Sequence, residues 1–130
     1  MTKYLSLMED FEKALRRLEE VLQVKKDEFI RDSAIKRFEI VFDLGWKTLK
    51  AFLQDVHNSS ACVSPITCFR EGLKVGLIEH DEFWIEIKNI RNLTLHAYNK
   101  ETAEEVYAAL PKVLSRFQQL YESMKRTENP

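Results

Sequence analysis

Glycine, proline and cysteine are scarce in this 130-residue chain, which has only three glycines, three prolines and two cysteines. Few tight turns are therefore expected. With 45% hydrophobic and 32% charged residues, the composition is typical of a helical, soluble protein. The length predicts one domain spanning 1–130, with enough mass for a real core.

The two cysteines, Cys62 and Cys68, are too few for a disulfide framework. They also lack the paired clusters of a zinc site, and the nearby His57 does not supply what is missing. We therefore expect two small, semi-buried, unpaired residues in a reducing compartment.

Neither a strong charge of one sign nor a long apolar run is present. The net charge of −1 excludes a global basic field, so any polyanion site must be a local patch. One such patch is the basic strip of the second helical segment, whose simplest interpretation is a solvated face: Lys36, Arg37, Lys47 and Lys50. No segment approaches membrane-spanning length, and the N-terminus carries charges where a signal peptide is apolar, so a cytoplasmic location is expected.

Apolar residues recur at helical spacing in five segments, with approximate bounds 3–24, 28–57, 65–75, 81–97 and 102 onward. Ser64 followed by Pro65 predicts a helix start, and Gly76 a helix end. Thr102 with Glu105 reads as a capping box, and Pro111 should kink or split the last helix. The sequence therefore predicts an all-α fold: an antiparallel up-and-down four-helix bundle with an additional short helix.

The fourth helix carries apolar residues on more than one face. Phe83, Ile87, Ile90 and Ala97 share one side and should fill the core. Trp84, Ile85 and Leu95 fall on other sides, although a four-helix bundle has no central helix. Association through this helix, most simply as a two-fold dimer, accounts for them best.

Arg91, Asn92 and His96 lie on or beside this second face. On one ideal helix Arg91 and His96 are about 140° apart, so they converge only if the helix unwinds near His96 or if two copies meet. A guanidinium suits a phosphate and an imidazole moves protons near neutral pH, a pair fit for metal-free cleavage of RNA by its own 2′-hydroxyl. From spacing alone, the structural interpretation is favoured over the catalytic one: an arginine in an ion pair at the dimer edge and a histidine hydrogen-bonded in the interface.

Residues 91–98, RNLTLHAY, match the Arg-x-x-x-x-His-x-Tyr motif of the HEPN superfamily. The chain resembles its HepT branch, also described as nucleotidyltransferase substrate-binding proteins. The likeness extends over most of the chain and includes Gly45-Trp46, Ser64-Pro65, residues 69–71 and 76–78, Trp84, and residues 101–107.

That resemblance implies a helical bundle that dimerises, or forms a higher even oligomer, around the motif helices. Active members are metal-independent endoribonuclease toxins that need no cofactor, and their partner is a minimal nucleotidyltransferase encoded nearby. By the resemblance, Arg91 and His96 are catalytic, Asn92 matches a supporting polar position, and Tyr98 receives AMP from the partner. Two alternatives stay open: a non-catalytic substrate-binding subunit of a two-component nucleotidyltransferase, and a dimeric helical module with no nucleotide function.

Overall fold

The computed structural model describes residues 3–79 and 81–128. Its five α-helices are α1 (Lys3–Leu22), α2 (Glu28–His57), α3 (Pro65–Lys74), α4 (Phe83–Leu93) and α5 (Lys100–Glu128), with a 3-10 turn at Thr94–His96 between the last two. Within the described residues there is no strand, and no helix is long and apolar enough to cross a membrane. The predicted all-α bundle with one additional short helix is confirmed.

Local capping explains where α2 and α3 begin. The Asp27 side chain accepts a hydrogen bond from the Ile30 amide at 2.7 Å, and Ser64 forms a reciprocal capping box with Thr67 ahead of Pro65. Gly76 then follows α3 with φ of +83°, a conformation that favours glycine. The start of α3 at Ser64-Pro65 and its end near Gly76 are therefore as predicted.

Phe117 of α5 lies at the centre of the core and touches an aromatic ring from each of the other four helices. Its ring centroid is 6.1 Å from that of Phe11, 6.3 Å from Phe42, 6.4 Å from Phe69 and 5.3 Å from Trp84. All four pairs are edge to face, the arrangement that aromatic quadrupoles favour. Phe117 is therefore the point at which all five helices meet in the core.

Gly45, in the middle of α2, makes room for that ring. A Cβ at this position would lie 2.7 Å from Phe117 Cε1, closer than van der Waals contact allows. A glycine inside a long helix is unfavourable unless a neighbour packs closely against it, so the sequence predicts such a neighbour at Gly45. The structure confirms it, and the weak helix propensity of glycine is the cost of that approach.

Trp84 belongs to the core, so its assignment to an exposed second face of α4 was wrong. It is 6% exposed, and its ring lies 4.8 Å from that of Phe69. The physical reason is α3, which covers a side of α4 that four helices alone would leave open. Ile85 and Leu95 do remain on the surface, at 51% and 71% exposed.

The structure also corrects the predicted start of α5 and one of the two outcomes predicted for Pro111. The helix begins at Lys100, before the predicted capping box, because the Asn99 side chain accepts hydrogen bonds from the amides of Glu101 and Thr102. The helix is not split at Pro111, which lies on its exposed side. Water can there satisfy the carbonyl that lacks its helical partner.

Cys62 and Cys68 are bonded as a disulfide, so the expectation of two semi-buried, unpaired cysteines was wrong. The turn at Ser64-Pro65 brings the first turn of α3 back toward the linker and leaves 4.4 Å between the two Cα atoms. Both side chains are fully buried, at 1% and 0% exposed. The pair closes the linker between α2 and α3.

Candidate functional site

The motif residues occupy the point where α4 changes into the 3-10 turn. The Thr94 hydroxyl donates a hydrogen bond to the Arg91 carbonyl at 2.7 Å, and the Ala97 amide donates to the Thr94 carbonyl at 3.2 Å. The first of these bonds pulls a side chain onto the last turn of α4, and the second has the shorter span of a 3-10 helix. Local hydrogen bonds therefore fix the geometry of the segment from Arg91 to Ala97.

Arg91 is half-buried and faces α2. One terminal nitrogen, Nη1, lies 3.4 Å from Oε2 of Glu39 and donates a hydrogen bond to the Thr94 hydroxyl at 2.9 Å. The other, Nη2, lies 3.9 Å from Oδ2 of Asp43. The guanidinium is therefore held between two carboxylates and a hydroxyl, with 24% of its side chain open to solvent.

His96 and Tyr98 lie on the surface beside each other. Their ring centroids are 6.1 Å apart with 73° between the planes, an edge-to-face contact. An ideal helix would point Tyr98 well away from His96, two positions earlier. That expectation was wrong, because the chain leaves regular helix geometry between them. Residues 99–102, NKET, predict a turn after Tyr98 and therefore a phenol near the surface. That position is confirmed, since Tyr98 is 87% exposed.

Arg91 and His96 are not brought together within one chain. Of the two routes considered, unwinding is not the one observed: the helix tightens, and a 3-10 turn advances by about 120° per residue. The two side chains then leave the segment roughly 180° apart. In the described part of the chain no hydrogen bond or ion pair joins them, and Asn92 is exposed on the same segment.

Sequence reasoning missed Glu39 and Asp43. They are spaced i, i+4 on α2 and therefore share one face of that helix. Two acidic residues in an otherwise apolar and basic stretch, FEIVFDLGWK, were the available signal. Their partner is 52 and 48 positions away in the sequence, so the ion pairs themselves could only be found in the folded chain.

A salt-linked cluster fixes the first turn of α5, just after Tyr98. Glu104 contacts both Lys26 and Arg31, and Arg31 is buried, at 7% exposed. The hydrogen bond from Lys26, followed by that from Arg31, holds the pKa of Glu104 below its ordinary value, although partial burial opposes the shift. The cluster joins the start of α5 to the start of α2.

A family model described as nucleotidyltransferase substrate binding protein like matches residues 6–126. A curated protein of Haemophilus influenzae strain Rd, named "Probable ribonuclease HepT", is 33% identical over 96 residues. That alignment covers 72% of this chain and 66% of the relative, so the chain spans slightly less than two thirds of the relative's length.

Two solved structures share the fold. A protein from Thermus thermophilus superposes with a TM-score of 0.82 at 31% identity, over 88% of this chain and 98% of that one. A Haemophilus influenzae protein superposes with a TM-score of 0.78 at 25% identity, over 91% of this chain and 98% of its own. The latter is described as revealing the fold of a substrate-binding domain of a nucleotidyltransferase.

Proposed function

This chain belongs to the nucleotidyltransferase substrate binding protein like family, and from that membership we propose that it is a metal-independent endoribonuclease, the toxin of a toxin–antitoxin pair. Its partner is a minimal nucleotidyltransferase encoded nearby. The observation that carries the proposal is the exposed pair His96 and Tyr98, on the same segment as an arginine that the fold holds in a fixed orientation. The likeness to a protein named as a ribonuclease supports the same choice.

The reaction needs two copies of the chain. Arg91 binds the RNA phosphate through guanidinium donors that Thr94 leaves available. His96 of one copy takes the proton of the 2′-hydroxyl, whose oxygen attacks the adjacent phosphorus. The P–O bond to the 5′-oxygen breaks, and His96 of the second copy returns a proton to that oxygen. The products are a 2′,3′-cyclic phosphate and a 5′-hydroxyl.

Exposed apolar residues near the motif support such a dimer. Leu95 lies between Arg91 and His96 in sequence and is 71% exposed, and Ile85 on α4 is 51% exposed. Covering side chains of this size contributes about 1.5–3 kcal/mol each. An interface over Leu95 would carry each copy's His96 toward the other copy's Arg91.

The face of α2 that carries Asp43 also carries lysines that could bind the RNA phosphates next to the one that Arg91 binds. Lys36 and Lys47 are exposed, and at 100° per residue they share that face with Asp43. Ammonium groups there would neutralise phosphates on either side of the one bound by Arg91, which predicts cleavage that weakens as salt rises.

The decisive experiment is cleavage of a fluorescent single-stranded RNA by purified protein in EDTA. The matched control is the same oligonucleotide with a 2′-deoxy sugar at the scissile position. Cleavage of the RNA alone is expected, because only that sugar carries the nucleophile. Equal cleavage of both, or of neither, contradicts the proposal.

One observation favours the second candidate, a non-catalytic substrate-binding subunit of a two-component nucleotidyltransferase. Arg91 is ion-paired to Glu39 and Asp43, as a structural arginine would be. In that case a stable complex with the nucleotidyltransferase would form, substrate would bind to the complex, and RNA would stay intact.

A further inference from the structure

The surroundings of Arg91 contain three side chains to which the motif itself gives no role. Glu39 and Asp43 belong to α2, and Thr94 is the first residue of the 3-10 turn after α4. Their oxygens lie 3.4, 3.9 and 2.9 Å from the terminal nitrogens of the guanidinium. We propose that Glu39, Asp43 and Thr94 are positioning residues for Arg91, and that they set its orientation at the expense of its affinity for phosphate. The proposal rests on the RNA-cleaving function proposed above.

The hydroxyl and the two carboxylates act on Arg91 in different ways. Of these three side chains only Thr94 accepts a hydrogen bond from the guanidinium, and its hydroxyl in turn donates to the Arg91 carbonyl, which closes a ring from side chain to backbone. This ring fixes the direction in which Arg91 leaves α4. The two carboxylates lie slightly farther away and attract the positive charge toward α2 without using up its donors.

Burial makes this arrangement more than a surface ion pair. The Arg91 side chain is 24% exposed and that of Glu39 26% exposed, so water screens the pair less than it would on an open surface. Asp43, at 48% exposed, is the outer and weaker of the two carboxylates. Glu39 should therefore have the larger effect.

Two negative charges beside the phosphate-binding group have a definite kinetic consequence. They repel an incoming phosphate and so weaken RNA binding, but they also hold the guanidinium where the reacting phosphate must lie. Removing one charge should therefore strengthen binding and slow the chemical step. A residue with a merely structural role would lower the active fraction, and so kcat, without lowering KM.

The variants are Glu39→Gln, Asp43→Asn and Thr94→Val, with Asp55→Asn as the control. Asp55 is an exposed acid on the same helix, so its replacement makes the same change in charge away from Arg91. For Glu39→Gln we expect kcat to fall about tenfold, because loss of orientation is costly. We expect KM to fall about threefold, because one repelling charge is gone. Asp43→Asn should also lower kcat and KM, but by smaller factors than Glu39→Gln.

Thr94 has a matched pair of substitutions. Thr94→Val has nearly the same shape without the hydroxyl, and should lower kcat with little change in KM. Thr94→Ser restores the hydroxyl and should restore kcat. Unchanged kcat in Thr94→Val, or an unchanged or raised KM in Glu39→Gln, overturns the proposal, as does an equal effect in Asp55→Asn.

A measurement without RNA separates this proposal from the function on which it rests. In the NMR spectrum of the ¹⁵N-labelled protein, the Arg91 guanidinium, identified with Arg91→Lys, should show slow rotation of its terminal NH₂ groups. Rotation should become fast in Glu39→Gln and Thr94→Val and stay slow in Asp55→Asn. If the wild type cleaves no RNA, the proposed ribonuclease function is wrong. The positioning role is judged separately: slow rotation of the NH₂ groups in the wild type supports it, and fast rotation overturns it.

Discussion

The edge of one ring meets the face of the other at His96 and Tyr98, with 6.1 Å between the centroids. Because both residues are exposed, a group added to the Tyr98 hydroxyl would lie beside the His96 imidazole rather than in the core. The two motif residues are thus physically coupled: what happens to the tyrosine changes the surroundings of the histidine.

The first prediction concerns His96. Replacing it with alanine removes the proposed proton carrier, so RNA cleavage in EDTA should fall by roughly two to four orders of magnitude. His96 is exposed, so circular dichroism and the melting temperature should stay at wild-type values. The control is His57→Ala, since His57 is also exposed but lies at the end of α2. Equal cleavage by His96→Ala and the wild type would mean that the activity comes from elsewhere or from a contaminant. Loss of activity in both variants would point to a general effect on the protein.

A second prediction concerns assembly. Leu95→Asp should convert a homodimer into a monomer at micromolar concentration, because it places a charge on the apolar surface that the dimer would cover. Val63→Asp is the matched control: Val63 is 73% exposed, similar to Leu95, but lies in the linker before α3. Sedimentation velocity distinguishes the outcomes. A wild-type monomer, or dissociation by Val63→Asp alone, would rule out an interface over Leu95.

The contrast between α2 and Trp84 shows what sequence could predict. The bounds of α2 were accurate because polar stretches on both sides and the Asp27 cap are local signals. The burial of Trp84 could not be predicted, since it depends on where α3 lies against α4. Likewise, the motif identified Arg91 and His96 as candidates. The directions of the side chains from Thr94 onward could not be predicted from helix periodicity, because the 3-10 turn begins there.

The third prediction concerns the close approach at Gly45. In Gly45→Ala the new methyl group would lie 2.7 Å from a fully buried Phe117, and overpacking of this kind costs about 1–3 kcal/mol. Better helix propensity returns up to about 1 kcal/mol, so a lower melting temperature is expected. In Gly72→Ala the nearest atom is the end of the Ile78 side chain, which can move, so stability should change little. Equal melting temperatures for wild type and Gly45→Ala would contradict the packing argument.

A fourth prediction follows from the lowered pKa of Glu104. The pKa of Glu104 is lower in the folded protein than in the unfolded one, so its ionised carboxylate stabilises the fold at any pH above the unfolded-state pKa. This contribution is lost as the pH falls through the folded-state pKa. Glu104→Gln should therefore lower the melting temperature at pH 7 and have much less effect at pH 3. Glu105→Gln, a change at an exposed neighbour, should have little effect at either pH. A Glu104→Gln effect of equal size at both pH values would show that the ion pairs with Lys26 and Arg31 are not its source.

The last prediction concerns control of the site by the nucleotidyltransferase. Tyr98 is 87% exposed on the short connector between the 3-10 turn and α5, so a second enzyme can reach its hydroxyl. Transfer of AMP from ATP would join the phenol oxygen to the α-phosphorus and release pyrophosphate. The new phosphodiester is negatively charged. In the proposed dimer it would compete with RNA for the donors of Arg91 in the second copy, while its bulk covers His96.

Co-expression with the nucleotidyltransferase should therefore add one or more AMP units to the wild type, lower its toxicity and leave Tyr98→Phe unmodified. Tyr107→Phe is the matched control, because Tyr107 is half-buried on α5 and should not affect modification. Intact-mass spectrometry of the three proteins measures the result directly. If Tyr98→Phe gains the same AMP mass as the wild type, or if no protein gains any, Tyr98 is not the modified residue. The substrate-binding subunit would then be the better account of the family resemblance, since such a subunit needs a partner enzyme but no tyrosine that the partner modifies.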